Sequence, residues 1–320
     1  MTRTHSFIGM GLAALVATYS GTGAAQNYPV KPVRLVAAAA GAGSDFMARI
    51  LAAGLAEPWG QPVTVDNRGG SAVILIDVVA KAPPDGYTLL VFGSGLWYLP
   101  FMQNVSYDPI RDFAPISLAT TSPLVLVVHP SLPVRTVKEL IAFARSRPGQ
   151  LNYSSGIAGS TPHLAAELFK SMTGVDLVRV TYKGGAPALI ALLSGETQVM
   201  FANSNAIGLL SGGKVRPLAV TASRRSTLFP DLPTIAASGV PGYDASAVNA
   251  ILAPARTPAA IVNRINRDVA TLLAKPESKE RLLKAGLEVV ANSPDELTAF
   301  IKADMAAMGK IIKAAGIRED

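Results

Sequence analysis

Two glycine-bearing segments stand where a main chain can itself do chemistry. Gly41-Ala42-Gly43-Ser44-Asp45 lies between an apolar run, Val33 to Ala37, and a helical pattern. Glycine lets the backbone approach a ligand and turn its N–H groups outward, and a helix N-terminus adds partial positive charge. Together they can hold an anion without a cationic side chain. The segment also reads as a tight strand-to-helix turn capped by Ser44. Asp45 would repel an anion if it faced inward, so it is expected to brace the loop or to receive a cationic group. The device recurs at Ser154-Ser155-Gly156-Ile157-Ala158-Gly159-Ser160-Thr161, again between a strand and a helix. Two facing helix starts suit a small ligand with two polar ends. His163, in the first turn of the second helix, is placed to donate to that ligand or to bond a neighbouring loop.

Three more segments follow strands and should reach the same region. Gly93-Ser94-Gly95 precedes Trp97 and Tyr98, which either wall an apolar pocket or simply pack. Tyr182-Lys183-Gly184 offers a phenol and an ammonium, although Lys183 reads more readily as a surface residue. Asn203 and Ser204 can hydrogen-bond a carboxylate.

Other chemistries fit poorly. The chain has no Cys and only three His, at positions 5, 129 and 163. Thiolate nucleophiles are excluded, and no metal site or cofactor is expected. No Gly-x-Ser-x-Gly elbow is present, only His129 and His163 could serve as a triad base, and no motif links carboxylates such as Asp45 and Asp244. An exported hydrolase is therefore a remote reading. So is a dinucleotide-binding enzyme: Gly41-x-Gly43 opens a helix and Asp66 ends the next strand, but Phe46 stands where the fingerprint needs its third glycine. The formal charge is +7, yet the basic residues are scattered. A nucleic-acid binder should show a basic stripe, so none is expected as a partner.

The elements that must position these loops are those of an α/β protein. The 320 residues, 49% hydrophobic and 16% charged, suffice for two domains with sizeable cores. The N-terminus reads as a secretory signal: Arg3 and His5, an apolar run from Phe7 to Val16, and small residues at Gly23-Ala24-Ala25, with cleavage expected after Ala25. Residues 1–25 would then be removed and the mature chain would work in the periplasm. No later stretch is apolar enough to span a membrane. Further strands are expected at Val63 to Asp66, Thr88 to Phe92, Leu124 to Val128, Leu151 to Tyr153, Val178 to Val180, Val199 to Phe201, Val215 to Val220 and Ala247 to Ala253. Helices between them imply largely parallel sheets. Thr136 with Glu139, and Ser293 with Glu296, predict capping boxes. The chain is expected to leave a first lobe near Pro123 and return near Arg225. That gives lobe one residues 26–123 and 226–320, lobe two residues 124–225, and a cleft between them.

Ordered through the mature chain are Tyr28-Pro29-Val30-Lys31-Pro32-Val33-Arg34, Val65-Asp66-Asn67-Arg68, Pro84-Asp85-Gly86-Tyr87-Thr88-Leu89, Tyr107-Asp108-Pro109, Asp112-Phe113-Ala114-Pro115, His163-Leu164-Ala165-Ala166-Glu167, Tyr182-Lys183-Gly184, Leu218-Ala219-Val220-Thr221, Pro233-Thr234 and Ala253-Pro254. This succession resembles the substrate-binding proteins of tripartite tricarboxylate transporters, the Bug or TctC-type family. The resemblance implies a two-lobed periplasmic binding-protein fold of type II kind with two inter-lobe crossings. It implies a non-catalytic protein that traps a small organic carboxylate and hands it to a small and a large membrane subunit; the protein itself is expected to be a monomer. A ligand-sensing partner of a membrane sensor is the alternative. The loop at Gly41 to Asp45 matches the family's first ligand loop, and Ser155 to His163 its second. Ala37 to Ala40 stand where the family often has Pro and aromatic residues, Gly69 to Val73 lack the usual Pro and repeated glycines, and Val248 and Asn249 replace a common Trp or Tyr. These departures fall near the expected cleft and add Asn249 to the candidate site. The ligand class is therefore left open among aliphatic di- or tricarboxylates, aromatic acids and acidic amino acid derivatives.

Overall fold

The computed structural model describes residues 27–40, 43–69, 71–156, 158–203 and 213–318. The expected signal peptide, Gly41, Ala42 and Ser204 lie outside the described residues.

Short β-branched runs pair first into parallel units. β1 (Val33–Ala37), β2 (Val63–Asn67) and β3 (Thr88–Phe92) are linked through α1 (Gly43–Trp59) and α2 (Ala72–Ala80). β1 runs parallel to both β2 and β3. On α1 the stripe Met47, Ile50, Leu51 and Leu55 is buried, as a 3.6-residue period requires. α3 (Gly95–Met102) follows β3, and a ten-residue strand, β4 (Phe113–Ser122), comes next. This strand was not legible in the sequence, because Pro115 and the Ser/Thr-rich end mask its alternation.

The second sheet starts at once. β5 (Leu124–Val128) is separated from β4 by Pro123 alone. It is followed by α4 (Val137–Arg145), β6 (Leu151–Ser155), α5 (Thr161–Thr173), β7 (Leu177–Thr181), α6 (Gly185–Leu193), β8 (Val199–Asn203) and β9 (Arg216–Val220). The chain then returns through β10 (Ala247–Pro254), α7 (Ala259–Ala274), α8 (Pro276–Lys284), β11 (Glu288–Val289) and α9 (Pro294–Ala314). The sheet orders are β11-β4-β10-β3-β1-β2 and β7-β6-β8-β5-β9. Both sheets are mixed rather than largely parallel. The returning β10 inserts antiparallel between β3 and β4, and β5 runs antiparallel to β8 and β9. A strand that enters from the other lobe arrives in the opposite direction, which alternation within a single strand cannot reveal.

The two cores are shared more than the strand order suggests. Ile235, Val240 and Tyr243 are buried with the second sheet, so the segment after Arg225 stays there until the approach to β10. The last helix joins both cores. Leu297 and Ile301 pack with Trp97 and Leu90 of the first lobe, whereas Met308 and Ile312 pack with Leu164 and Phe169 of the second. Each such buried side chain contributes roughly 1.5–3 kcal/mol relative to exposure, so the helix ties the lobes together. Its start carries the full Ser293–Glu296 capping box. The box expected at Thr136 is half made: Thr136 accepts from the Glu139 amide, but the Glu139 carboxylate takes the Arg135 N–H at 2.6 Å.

Candidate ligand-binding cleft

Strand register places the candidate loops on two facing edges. In the first sheet, Phe92 pairs with Ala250 and Thr120 with Asn249. The ends of β1 and β3, residue Asn249 and the end of β4 therefore share one edge. From that edge the chain crosses at Pro123. In the second sheet Leu124, the first residue after the crossing, pairs with Asn203, and β8 runs parallel to β6 and β6 to β7. The ends of β6, β7 and β8 thus lie on the edge that faces the first sheet.

On the first wall α1 begins at Gly43. Ser44 is inside the first turn, and its hydroxyl reaches back to accept the Ala38 amide at 3.3 Å; it is not the helix cap. Asp45 is 4% exposed. Its carboxylate accepts from Asn67 Nδ2 at 2.8 Å and pairs with Arg49 Nε at 2.9 Å. Asn67 Nδ2 also donates to the Ala38 carbonyl. Of the two readings of Asp45, bracing is the one realised. Asn249 lines the same space: a Cβ on Gly43 would lie 3.9 Å from Asn249 Oδ1. The Asn249 amide is itself held by Thr120 Oγ1 at 3.1 Å. Ser94 and Gly95 sit half-buried at the start of α3, and the Ser94 hydroxyl caps nothing.

Trp97 is corrected from a pocket wall to a core residue. It is 0% exposed, and its indole N–H donates to Asp304 Oδ2 at 2.7 Å, an oxygen shared with the Tyr98 hydroxyl at 2.6 Å. The short helix is crossed by α9, and Trp97 is on the face that this crossing buries. Burial, with the Asp244 charge nearby, holds the Asp304 carboxyl above the usual carboxylate range, against the two hydrogen bonds.

On the second wall Gly156 follows β6, and Gly159 turns the chain with φ 73°. The loop touches the first lobe there, since a Cβ on Gly159 would lie 2.9 Å from Met102 Sδ. Ser160 precedes α5, its hydroxyl buried without a hydrogen-bond partner, and Thr161 opens the helix half-buried. His163 Nδ1 accepts from the Gly159 amide at 3.1 Å, so the proton sits on Nε2. Burial first, and the Arg179 charge second, push its pKa down to about 4. The ring is therefore neutral at pH 7, with one N–H to offer. A Cβ on Gly156 would lie 3.8 Å from Gly184 Cα and one on Gly185 3.6 Å from Asn203 Nδ2, so the ends of β6, β7 and β8 converge.

Two more residues are corrected. Ser155 is 0% exposed; its hydroxyl accepts from Arg179 Nε at 2.8 Å and faces the strand, not the cleft. The Tyr182 hydroxyl turns away to Glu196 at 2.8 Å, and burial with that hydrogen bond raises its pKa to about 12. Lys183 is exposed. Arg179 was not singled out in the sequence. Its Nη2 donates to the Gly156 carbonyl at 2.8 Å, beneath the second loop. An Arg inside the β-branched run Leu177–Thr181 was the available signal. Among the described residues no group of three or more His, Asp or Glu is placed to hold a metal. Two surface cavities of about 400 and 430 Å³ lie elsewhere, one along α9 beside Phe101 and one between α4 and Gly239; neither includes the glycine loops.

Residues 47–317 match the family described as tripartite tricarboxylate transporter family receptor. The protein BugT of Bordetella pertussis is 34% identical over 324 residues, covering 99% of both chains. A Rhodopseudomonas palustris protein solved with adipate is 39% identical with a TM-score of 0.73, covering 91% of this chain and 99% of its own. The MatC protein of the same organism, solved with bound malate, is 30% identical with a TM-score of 0.69, covering 89% and 100%. The two-sheet architecture agrees with these neighbours, and the chain belongs to the tripartite tricarboxylate transporter receptor family, a family of two-lobed solute-binding receptors rather than enzymes.

Proposed function

We propose that the protein is exported to the periplasm, captures a small organic carboxylate between its lobes, and delivers it to the small and large membrane subunits of a tripartite transporter. The observation that carries this reading is the pair of glycine loops, at the starts of α1 and α5, set on the two sheet edges joined at Pro123. The helices begin there at Gly43 and Thr161, and a helix N-terminus is where anions are stabilised. Gly43, Ser94, Gly95 and Asn249 face the ligand from the first lobe. Gly159, Ser160, Thr161, His163, Lys183 and Asn203 face it from the second. Adipate and malate in related structures support an aliphatic acid as the ligand. Closure is favoured by whatever contacts the closed form adds, with the chain bending at its crossings between β4 and β5 and before β10.

Thermal unfolding of the mature chain against a panel of carboxylates tests the reading, with NAD as control. Ligand at about 100 times its Kd should add roughly 2.7 kcal/mol, a rise of several degrees. A rise with no carboxylate, for protein first unfolded and refolded to release any bound molecule, would overturn it.

A further inference from the structure

The two walls of the cleft are built alike in backbone but not in charge. On the first wall every charge beside the loop has an opposite partner: Asp45 pairs with Arg49 at 2.9 Å, and Asp66 is shared by Arg68 at 3.0 Å and, farther down the strands, Arg34 at 3.7 Å. The buried Asp45 carboxylate in the first turn of α1 also offsets the positive end of that helix. What remains for a ligand is a set of neutral groups, including the Asn249 amide.

The second wall differs. Arg179 spends Nε on the Ser155 hydroxyl and Nη2 on the Gly156 carbonyl, both uncharged. Among the described residues no carboxylate lies within ion-pair distance of it, and Lys183 at the mouth is likewise unpaired. The acid that reaches His163 electrostatically is Glu167, and that carboxylate is held by the Tyr153 hydroxyl at 2.6 Å and Lys170 at 3.0 Å. His163 is 4% exposed, and its Nε2–H has no hydrogen-bond partner among the described residues. Ser160 Oγ is buried and equally without a partner. A half-buried guanidinium that no acid neutralises stands directly behind a loop with two idle donors.

We propose that the cleft is charge-asymmetric: the second lobe takes a carboxylate, with Arg179 as the positioning residue that supplies its charge, and the first lobe takes a polar but uncharged end. One carboxylate is then sufficient for binding. This rests on the solute-binding reading and narrows the ligand class. Arg179 does not touch the ligand. It holds the Gly156 carbonyl back, so that the loop presents N–H groups, and it adds a positive potential that a low-dielectric wall leaves poorly screened.

The test is calorimetric titration of the mature chain with three matched series: succinate, adipate and terephthalate, each with its monoamide and diamide. At least one monoamide is expected to bind within about fivefold of its diacid, and no diamide to bind. Arg179→Gln is expected to weaken diacid and monoamide by the same factor, about 10- to 100-fold, and to flatten the salt dependence of binding. Arg179→Lys keeps the charge and should recover most of that loss, which separates charge from scaffolding if the Gln variant folds poorly. Diacids that bind while every monoamide is weaker by more than about 100-fold would overturn the asymmetry and leave the carboxylate reading standing. So would an Arg179→Gln chain that folds and binds unchanged. Failure of all the acids would overturn both.

Discussion

His163 should make the protein acid-sensitive in a window that its position sets. The ring is 4% exposed and accepts the Gly159 N–H through Nδ1. Burial and the neighbouring Arg179 lower its pKa from 6.5 to about 4. Unfolded, the same imidazole takes a proton near pH 6.5. The stabilisation is therefore fully present above that value and is lost as pH falls from it toward the folded pKa. A shift of this size amounts to about 3 kcal/mol in full, and roughly 2–3 kcal/mol of it is gone by about pH 4.5. Protonation would also put a donor against the Gly159 donor and so loosen the second ligand loop. The comparison is with His163→Asn, whose Oδ1 lies near the position of Nδ1 and does not titrate. Urea unfolding at about pH 7.5 and about pH 4.5 is measured for both chains, and all other titrations cancel in the difference. The parent should lose roughly 2–3 kcal/mol more than the variant. Equal losses would mean that His163 is solvated and that its ring does not fix the loop.

Two further outcomes are expected. Asp304→Asn keeps an oxygen for Trp97 and Tyr98 and removes a carboxyl that burial holds above its ordinary pKa. A raised carboxyl opposes folding once pH climbs past the unfolded value, so the variant should melt no lower than the parent at pH 7 and, lacking the contribution that acidification restores, should lose more stability than the parent as pH falls; a variant that loses less than the parent would reverse the assignment. Gly54→Ala forces a Cβ into Leu272, a buried side chain 2.6 Å away at Cδ2, and should destabilise by about 1–3 kcal/mol with ligand affinity unchanged. A melting point equal to the parent's would show that α1 and α7 pack more loosely than described.

Local signals exposed the loops, and non-local partners decided what each residue does. The two glycine segments were visible because strand, glycine and helix start are contiguous in the sequence. Asp45 reads either way in the sequence; Arg49 and Asn67 hold it, and Asn67 lies on β2, outside the helix that carries Asp45. Trp97 looked like a ligand wall because aromatics after a glycine turn often are. Its fate was set by Asp304, 207 positions on. Ser155 and Tyr182 failed for one shared reason: residues at a strand end alternate in direction, and the sequence does not say which alternate faces the cleft. In the sequence Arg179 is one of many scattered cations, although a charge inside an apolar strand needs a polar partner when buried.

The last helix constrains how any closure can occur. If α9 belonged to the first lobe alone, the lobes would be joined only by the crossings at Pro123 and before β10. Instead Met308 and Ile312 are buried in the second core, while Leu297 and Ile301 are buried in the first. Between them Asp304 binds Trp97 and Tyr98 of α3, and Met102 at the end of that helix rests against Gly159. This side of the cleft is pinned, so relative motion has to open the side away from α9. Ile312→Ala should therefore weaken the second lobe, by about 2–5 kcal/mol in global stability, although it lies 190 positions or so from the first strand of that sheet. Amide exchange should rise in α5, against which α9 packs. Exchange confined to α3 and the first sheet would show that the helix is anchored on one side only, and a wider hinge would follow.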